Sequence, residues 1–146
     1  MVKALITGAS SGIGLEMAKI LAKEGHELIL VARDKEKLQK IQDKLGAKVK
    51  IIVADLSNES KLKEVYIVTK NEKIDILINN AGFGDCGYFD ETDLSKEMEM
   101  INVNIKALHV LTKLFLKDMK KRNSGYILNV ASMASFAPGP LMATYY

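Results

Sequence analysis

The chain has 146 residues, 48% of them hydrophobic, with 21 basic and 18 acidic side chains and a formal net charge of +3. That length buries a core as one domain spanning 1–146 and is too short for two, and the dispersed charges exclude the dense basic run needed to track nucleic acid. Cys86 is the only cysteine, which excludes a disulfide framework or cysteine-built metal site and fits a reducing, cytoplasmic compartment; no apolar run is long enough to span a membrane or to serve as a secretory leader.

The apolar run Val2 to Ile6 ends in Thr7-Gly8 and reads as a buried strand meeting a turn. From Gly12 to Glu24 the residues Ile13, Met17, Ile20 and Leu21 recur at helical spacing, and Gly25 stands where a helix stop belongs. Leu28 to Ala32 is a second strand, after which Asp34 caps a charged helix running to about Leu45. Val49 to Ala54 is a third strand, and Ser57 is placed to cap a helix through about Asn71. Ile74 to Asn79 follows as a fourth strand. Leu94 to Arg122 then carries Met98, Ile101, Ile105, Leu108, Leu111 and Phe115 at mostly three- and four-residue spacing, which predicts one long helix. Ile127 to Ala131 is the fifth strand. Each strand is nearly all apolar, as strands covered on both faces must be. Strands alternating with helices imply right-handed crossovers, so the expected fold is α/β, a doubly wound parallel sheet with helices on both faces.

The turn Gly8-Ala9-Ser10-Ser11-Gly12-Ile13-Gly14 lies between the first strand and the first helix, where free backbone N–H groups point outward and attract an anion. Gly8 permits the tight turn, Gly12 admits a pyrophosphate close to the backbone, and Gly14 permits close packing of helix on strand. Ser10 and Ser11 add hydroxyl donors. The glycine spacing differs from G-x-G-x-x-G, and no Gly-Lys-Ser/Thr follows, which disfavours a nucleoside triphosphatase. A methyltransferase of related fold is not separated by this turn alone.

Further motifs follow in one order: Asp55-Leu56, Asn79-Asn80-Ala81-Gly82, Val103-Asn104, Ser132 and Tyr145. Together with the glycine turn they resemble the short-chain dehydrogenase/reductase family from residue 2 to the last residue. The resemblance implies a Rossmann-like fold, incomplete at the C-terminus after about five strands, and an oxidoreductase that interconverts a carbonyl and a secondary alcohol by hydride transfer. It implies that Asp55 and Leu56 contact the adenine, and that Asn80, Ala81 and Gly82 steady the sheet and pass the coenzyme ribose. Asp55 otherwise starts a turn or caps the next helix. Arg33 ends the second strand, where a carboxylate would hold the ribose hydroxyl of NAD; the resemblance pairs an arginine there with the 2′-phosphate of NADP, although Asp34 remains a possible ribose acceptor. NADP rather than NAD is the expected cofactor.

Ser132 and Tyr145 are thirteen residues apart, the separation of the family's serine and tyrosine. The resemblance makes Tyr145 the acid/base, Ser132 the group that holds the carbonyl oxygen, and Asn104 the residue that binds a water in a proton relay. The family places a lysine four residues after its tyrosine, a position beyond Tyr146. A free tyrosine ionises near pH 10, so a nearby cation is needed for work at about pH 7, and the chain as written is expected to be weak or inactive as an enzyme. The family also continues with two more strands. Without them a sheet edge and an apolar helix face are open, which favours aggregation or association, with a homo-oligomer expected, and the chain is read as a truncated gene product, a proteolytic fragment or the ordered part of a longer protein. The alternative function is a non-catalytic dinucleotide-binding fragment; a sugar-nucleotide epimerase fits Ser10-Ser11 and Asn79 to Gly82 less well. The expected partner is a small carbonyl or alcohol substrate, with no nucleic acid, membrane or metal. His26 and His109 are read as structural, Met98, Met100, Phe115 and Tyr126 as packing, and the loop Gly82 to Gly87 with Cys86 as a wall of the substrate cleft.

Overall fold

The computed structural model describes all residues from Met1 to Tyr146. Five parallel strands form one sheet in the order β3-β2-β1-β4-β5: β1 is Lys3–Thr7, β2 Glu27–Ala32, β3 Val49–Val53, β4 Ile76–Asn79 and β5 Tyr126–Asn129. The connecting helices are α1 (Gly12–Lys23), α2 (Lys35–Leu45), α3 (Glu59–Thr69), α4 (Leu94–Ile101) and α5 (Leu108–Lys121). This is the doubly wound α/β fold expected from the alternation of strands and helices.

The pleat of β1 explains the layers, because successive side chains leave the sheet on opposite faces. Leu5 points with Ile29 and Leu77 into a core closed by Leu62 and Val65 of α3 and by Leu111, Phe115 and Met119 of α5. Ala4 and Ile6 point the other way, with Leu28 and Leu30, onto Ala18 of α1 and Leu38 and Ile41 of α2. Phe115 and Tyr66 meet edge to face with centroids 5.4 Å apart, and Tyr66 donates to Asp118 at 2.8 Å, tying α3 to α5.

The outer strands depart from the expectation of cover on both faces. In β3 Lys50 is exposed and Val53 half-open, and in β5 Tyr126 is 75% exposed; only the three inner strands are buried at every position after their first residue. An edge strand has one neighbour and no crossover helix over its outer half, so apolar composition there does not entail burial.

The long helix over 94–122 exists, but Asn102–Ala107 winds as a π turn between α4 and α5. Its buried stripe is Met100, Val103, Ala107, Leu111, Phe115 and Met119, while Met98 and Ile105 are 47% and 63% exposed. The segment is apolar on two faces, and sequence periodicity follows the outer one as readily as the inner. α3 is capped by Asn58, whose Oδ1 accepts from the N–H groups of Ser60 and Lys61; the expected cap, Ser57, instead donates its hydroxyl to Asp55. Asp34 does cap α2, accepting from the Lys37 N–H at 3.0 Å. No helix is long and apolar enough to cross a membrane.

Candidate active site

In the strand order the chain reverses direction of travel between β1 and β4, so the crossover connections leave β1 on opposite sides and open a crevice at the carboxyl ends of the strands. A cleft of about 990 Å³ lies there. Its walls include Gly8, Ser10, Ser11, Gly12, Ile13, Arg33, Asp55, Leu56, Asn80, Ala81, Gly82, Asn104, Ser132 and Tyr145. Of the residues expected to act in catalysis or to bind the coenzyme, only Gly14 is absent from the walls, because it packs behind them. Cys86 is exposed and does not line the cleft; Gly82 and Phe83 are the part of that loop that does.

The turn after β1 is built by close approach. Gly8 has φ +65°, and a Cβ there would meet Ala81 Cα at 2.7 Å; a Cβ on Gly14 would meet the Gly8 carbonyl oxygen at 2.6 Å. Neither position admits another residue without displacement of backbone. Around Gly12, by contrast, a Cβ would meet nothing within 4 Å, so the turn faces open space. Ser11, the N-cap of α1, makes no side-chain bond to the helix, and the first turn carries no acidic residue. The leading N–H groups of α1 therefore face the cleft without a capping side chain, whereas Asp34, Asn58 and Asp93 cap α2, α3 and α4.

The joint between β1 and β4 is a hydrogen-bonded brace. The Thr7 hydroxyl oxygen accepts from the backbone N–H groups of Asn80 and Ala81, each at 3.0 Å. The Asn80 side-chain amide donates back to the carbonyls of Thr7 and Gly8 at 3.0 and 3.2 Å. Behind it, Asn79 donates to Thr112 and Asn129, both at 2.9 Å, joining β4 to α5 and β5. Thr7 is buried and central to this brace; the sequence offered only a threonine ending a strand, which carries no such signal.

The remaining polar groups are each partly engaged. Asp55 Oδ1 accepts from the Ser57 N–H and hydroxyl at 2.9 and 2.8 Å, leaving Oδ2 without a protein donor. The Asn104 side chain grips one residue: Oδ1 accepts from the Phe83 N–H at 3.1 Å and Nδ2 donates to the Phe83 carbonyl at 2.8 Å, with its second amide hydrogen left over. Ser132 Oγ accepts from the Ala134 N–H at 3.1 Å at the start of a short 3₁₀ turn, Met133–Phe136, so its own O–H is left to donate. Tyr145 and Tyr146 both line the cleft and meet edge to face at 5.9 Å. Tyr145 packs beside Gly84, where a Cβ would lie 3.5 Å from its ring, and Tyr146 packs over Gly139. The Gly87 N–H donates to the Leu141 carbonyl at 2.8 Å, holding the loop after β4 to the segment that carries both tyrosines.

Charge is concentrated at one end of the cleft. Arg33 and Lys37 are the cations that line it, both near the tip of β2, with β1 and β4 between them and β5. Asp34 shares that end, and the Lys37 ammonium lies 3.2 Å from its Oδ2. The Lys37 backbone N–H, followed by the ammonium, holds the Asp34 carboxyl below its ordinary pKa.

These features have counterparts in known proteins. The chain is 38% identical to a very-long-chain 3-oxoacyl-CoA reductase of Anas platyrhynchos, an alignment covering 97% of this chain and 48% of that protein. Its fold superposes with a TM-score of 0.94 on a short-chain dehydrogenase from Sphingobium yanoikuyae in complex with NADPH, at 37% identity over 99% of this chain and 59% of that one. The bulky-bulky ketone specific alcohol dehydrogenase from Comamonas testosteroni gives the same TM-score of 0.94, with 35% identity over 99% of this chain and 60% of its own. The chain thus spans about half to three fifths of the length of these relatives. A family model described as short chain dehydrogenase matches residues 2–146, and with the glycine turn, the Asn79 to Gly82 brace and the Ser132 and Tyr145 wall in one crevice, the chain belongs to the short-chain dehydrogenase family.

Proposed function

We propose that the cleft binds NADP(H), and that the full-length protein uses it to interconvert a small carbonyl compound and the corresponding secondary alcohol. The observation that carries this reading is the convergence, in one crevice at the strand carboxyl ends, of the glycine turn, Arg33, Ser132 and Tyr145. The residues fit a dinucleotide: the turn is open in front of Gly12, the N-terminus of α1 lacks a side-chain cap, and the cleft volume suits a ligand of that size.

Ser11, Gly12 and Ile13 would hold the pyrophosphate on their N–H groups and the neighbouring hydroxyls. Asp55 Oδ2 is available to the adenine amine, and Leu56 to its face. Arg33 would take the 2′-phosphate; Asp34 is a poorer ribose acceptor because its carboxylate already caps α2 and pairs with Lys37. When bound, the reduced coenzyme supplies the hydride that goes to the carbonyl carbon. Ser132 donates its free O–H to the carbonyl oxygen, and Tyr145 gives that oxygen its phenolic proton as negative charge develops there, so that the alcohol leaves neutral. Asn104 fixes the Phe83 backbone at the cleft wall, and its second amide hydrogen is available to hold a water for a proton relay.

Titration calorimetry with NADPH and NADH tests the binding half: heat with NADPH is expected, and no heat with either coenzyme from folded protein removes the reading. For the chemistry, Tyr145→Phe in the full-length protein is expected to lower kcat for carbonyl reduction by about 100-fold or more with NADPH affinity unchanged. Equal turnover in that variant would move the acid role elsewhere, with Tyr146 the first candidate.

A further inference from the structure

We infer that Glu97 is a positioning residue for Tyr145, acting through Thr92 and the loop after β4, a proposal that rests on the acid role read for Tyr145 above. Glu97 is a buried acid on α4 that the hydride-transfer scheme does not use. It shares the buried side of the helix with Met100, where an apolar side chain would pack at lower cost, since a carboxyl group leaves water only with a partner. The partner is Thr92, whose hydroxyl donates to Glu97 Oε1 at 2.6 Å and has the Phe89 carbonyl as a second, longer acceptor at 3.2 Å. The preceding residue of α4 reaches the same loop: the Lys96 ammonium lies 2.6 Å from Asp85 Oδ1.

From Thr92 the contacts run on to the tyrosines. A Cβ on Gly87 would meet Thr92 Cγ2 at 2.8 Å, so the Gly87 backbone lies directly against the threonine methyl. The Gly87 N–H in turn donates to the Leu141 carbonyl at 2.8 Å, the one backbone hydrogen bond between residues 139–146 and the rest of the chain. Leu141 is left-handed, with φ +62°, a conformation in which Cβ crowds the following carbonyl oxygen and which persists only where neighbours hold it. One turn on, the N–H groups of Tyr145 and Tyr146 both donate to the Met142 carbonyl at 3.0 Å, so the direction in which the chain leaves Leu141 sets where Tyr145 stands. A gap of only about 10 Å³ separates Thr92, Glu97 and Met100 from the segment Leu141 to Thr144. With so little slack, a shift of Thr92 passes to Leu141 and on to the phenol, which has to stay within hydrogen-bond reach of the oxygen that Ser132 holds.

The test is fluorine NMR of the full-length protein labelled with fluorotyrosine, the signals of Tyr66, Tyr126 and Tyr145 being assigned by single substitutions to phenylalanine. Wild type, Glu97→Ala, Glu97→Gln and Thr92→Val are compared, with amide exchange at Gly87 and Tyr145 measured alongside. In Glu97→Ala and Thr92→Val the Tyr145 signal is expected to move and both amides to exchange about tenfold faster, the scale of one lost hydrogen bond, while Tyr66 and Tyr126 keep their wild-type shifts. Glu97→Gln keeps an acceptor oxygen, so its exchange is expected within about twofold of wild type and its Tyr145 signal unmoved. An unmoved Tyr145 signal in Thr92→Val overturns the inference. So does movement of Tyr66 and Tyr126 together with Tyr145, which marks a role in the whole fold. A displaced Tyr145 signal in Glu97→Gln would overturn it as well, because the acceptor oxygen would then not be the holding group. Should Glu97→Ala not fold, Thr92→Val decides alone, since it alters only a half-buried loop residue. The acid role of Tyr145 fails separately, through full turnover in Tyr145→Phe, an outcome that leaves the fluorine result as it was.

Discussion

Replacing Thr7 with valine probes the brace on which the cleft is built. Valine matches threonine in shape but has no oxygen, so the backbone N–H groups of Asn80 and Ala81, each now 3.0 Å from the Thr7 hydroxyl, lose their acceptor. A buried amide left unpaired costs about 1–3 kcal/mol. Asn80 and Ala81 are half-buried, so water meets part of the need and the low end applies to each, giving a loss of about 2 kcal/mol in all. For a chain of this size that lowers Tm by about 4–8 °C. The measurement is urea unfolding followed by circular dichroism, with NADPH titration alongside, and Thr7→Ser as the control that keeps the hydroxyl. Serine is expected to recover most of the loss, and NADPH binding to fall in the valine variant because Asn80 and the glycine turn are no longer held together. A Thr7→Val protein within about 0.5 kcal/mol of wild type would show that the two amides find other partners and that the brace is not energetically central.

Gly14→Ala is expected to weaken NADPH about tenfold while the protein stays folded: the new Cβ meets the Gly8 carbonyl oxygen at 2.6 Å, and reaching ordinary contact at 3.4 Å opens the turn by about 0.8 Å. Calorimetry showing affinity within twofold of wild type would contradict this. Acid should destabilise the fold in a defined window. Glu72 is held below its ordinary 4.5 by hydrogen bonds from Lys3 and then Lys50, and Glu59 is pulled down to about 2 by Lys106 and then Lys63. Both folded values lie below the unfolded one, so their contributions are intact above pH 4.5 and drain away as pH falls toward 2; a urea midpoint that stays flat from pH 6 to pH 3 would dismiss the account. Lys3 is raised by Glu72, the opposite sign, so its share persists below its ordinary 10.5 and is lost only as pH climbs above that value. In Asn104→Leu both bonds to Phe83 disappear, and amide exchange at Phe83 should quicken about tenfold with little change at β4; unchanged protection would mean the loop is held by other contacts.

The order of strands and helices was readable from residue pattern because it depends on local chemistry. Gly8 through Gly14 sits between a β run and an α run, and Gly25 and Asp34 mark a stop and a start that the backbone uses in the same places. The helix over 94–122 was legible as a helix but not by its buried side: Met98 and Ile105 match the period as well as Met100 and Val103 do, and only the sheet beneath selects between the two faces. Ser57 and Asn58 are both competent caps, and the choice went to Asn58 because Ser57 is drawn into a turn closed by Asp55.

What the sequence determined by itself is what neighbours along the chain can decide: the alternation of elements, the glycine turn, and the presence of Ser132 and Tyr145 at the family's spacing. Tertiary structure decided the rest. Thr7 and Asn80 are 73 positions apart, and their mutual hydrogen bonds exist only because β1 and β4 lie side by side. Likewise Asn104 reaches Phe83 through the π turn. The physical reason is that a hydrogen bond or an ion pair acts over a few ångströms of space, and which residues share that space is set by how the sheet is ordered, not by how the chain is numbered.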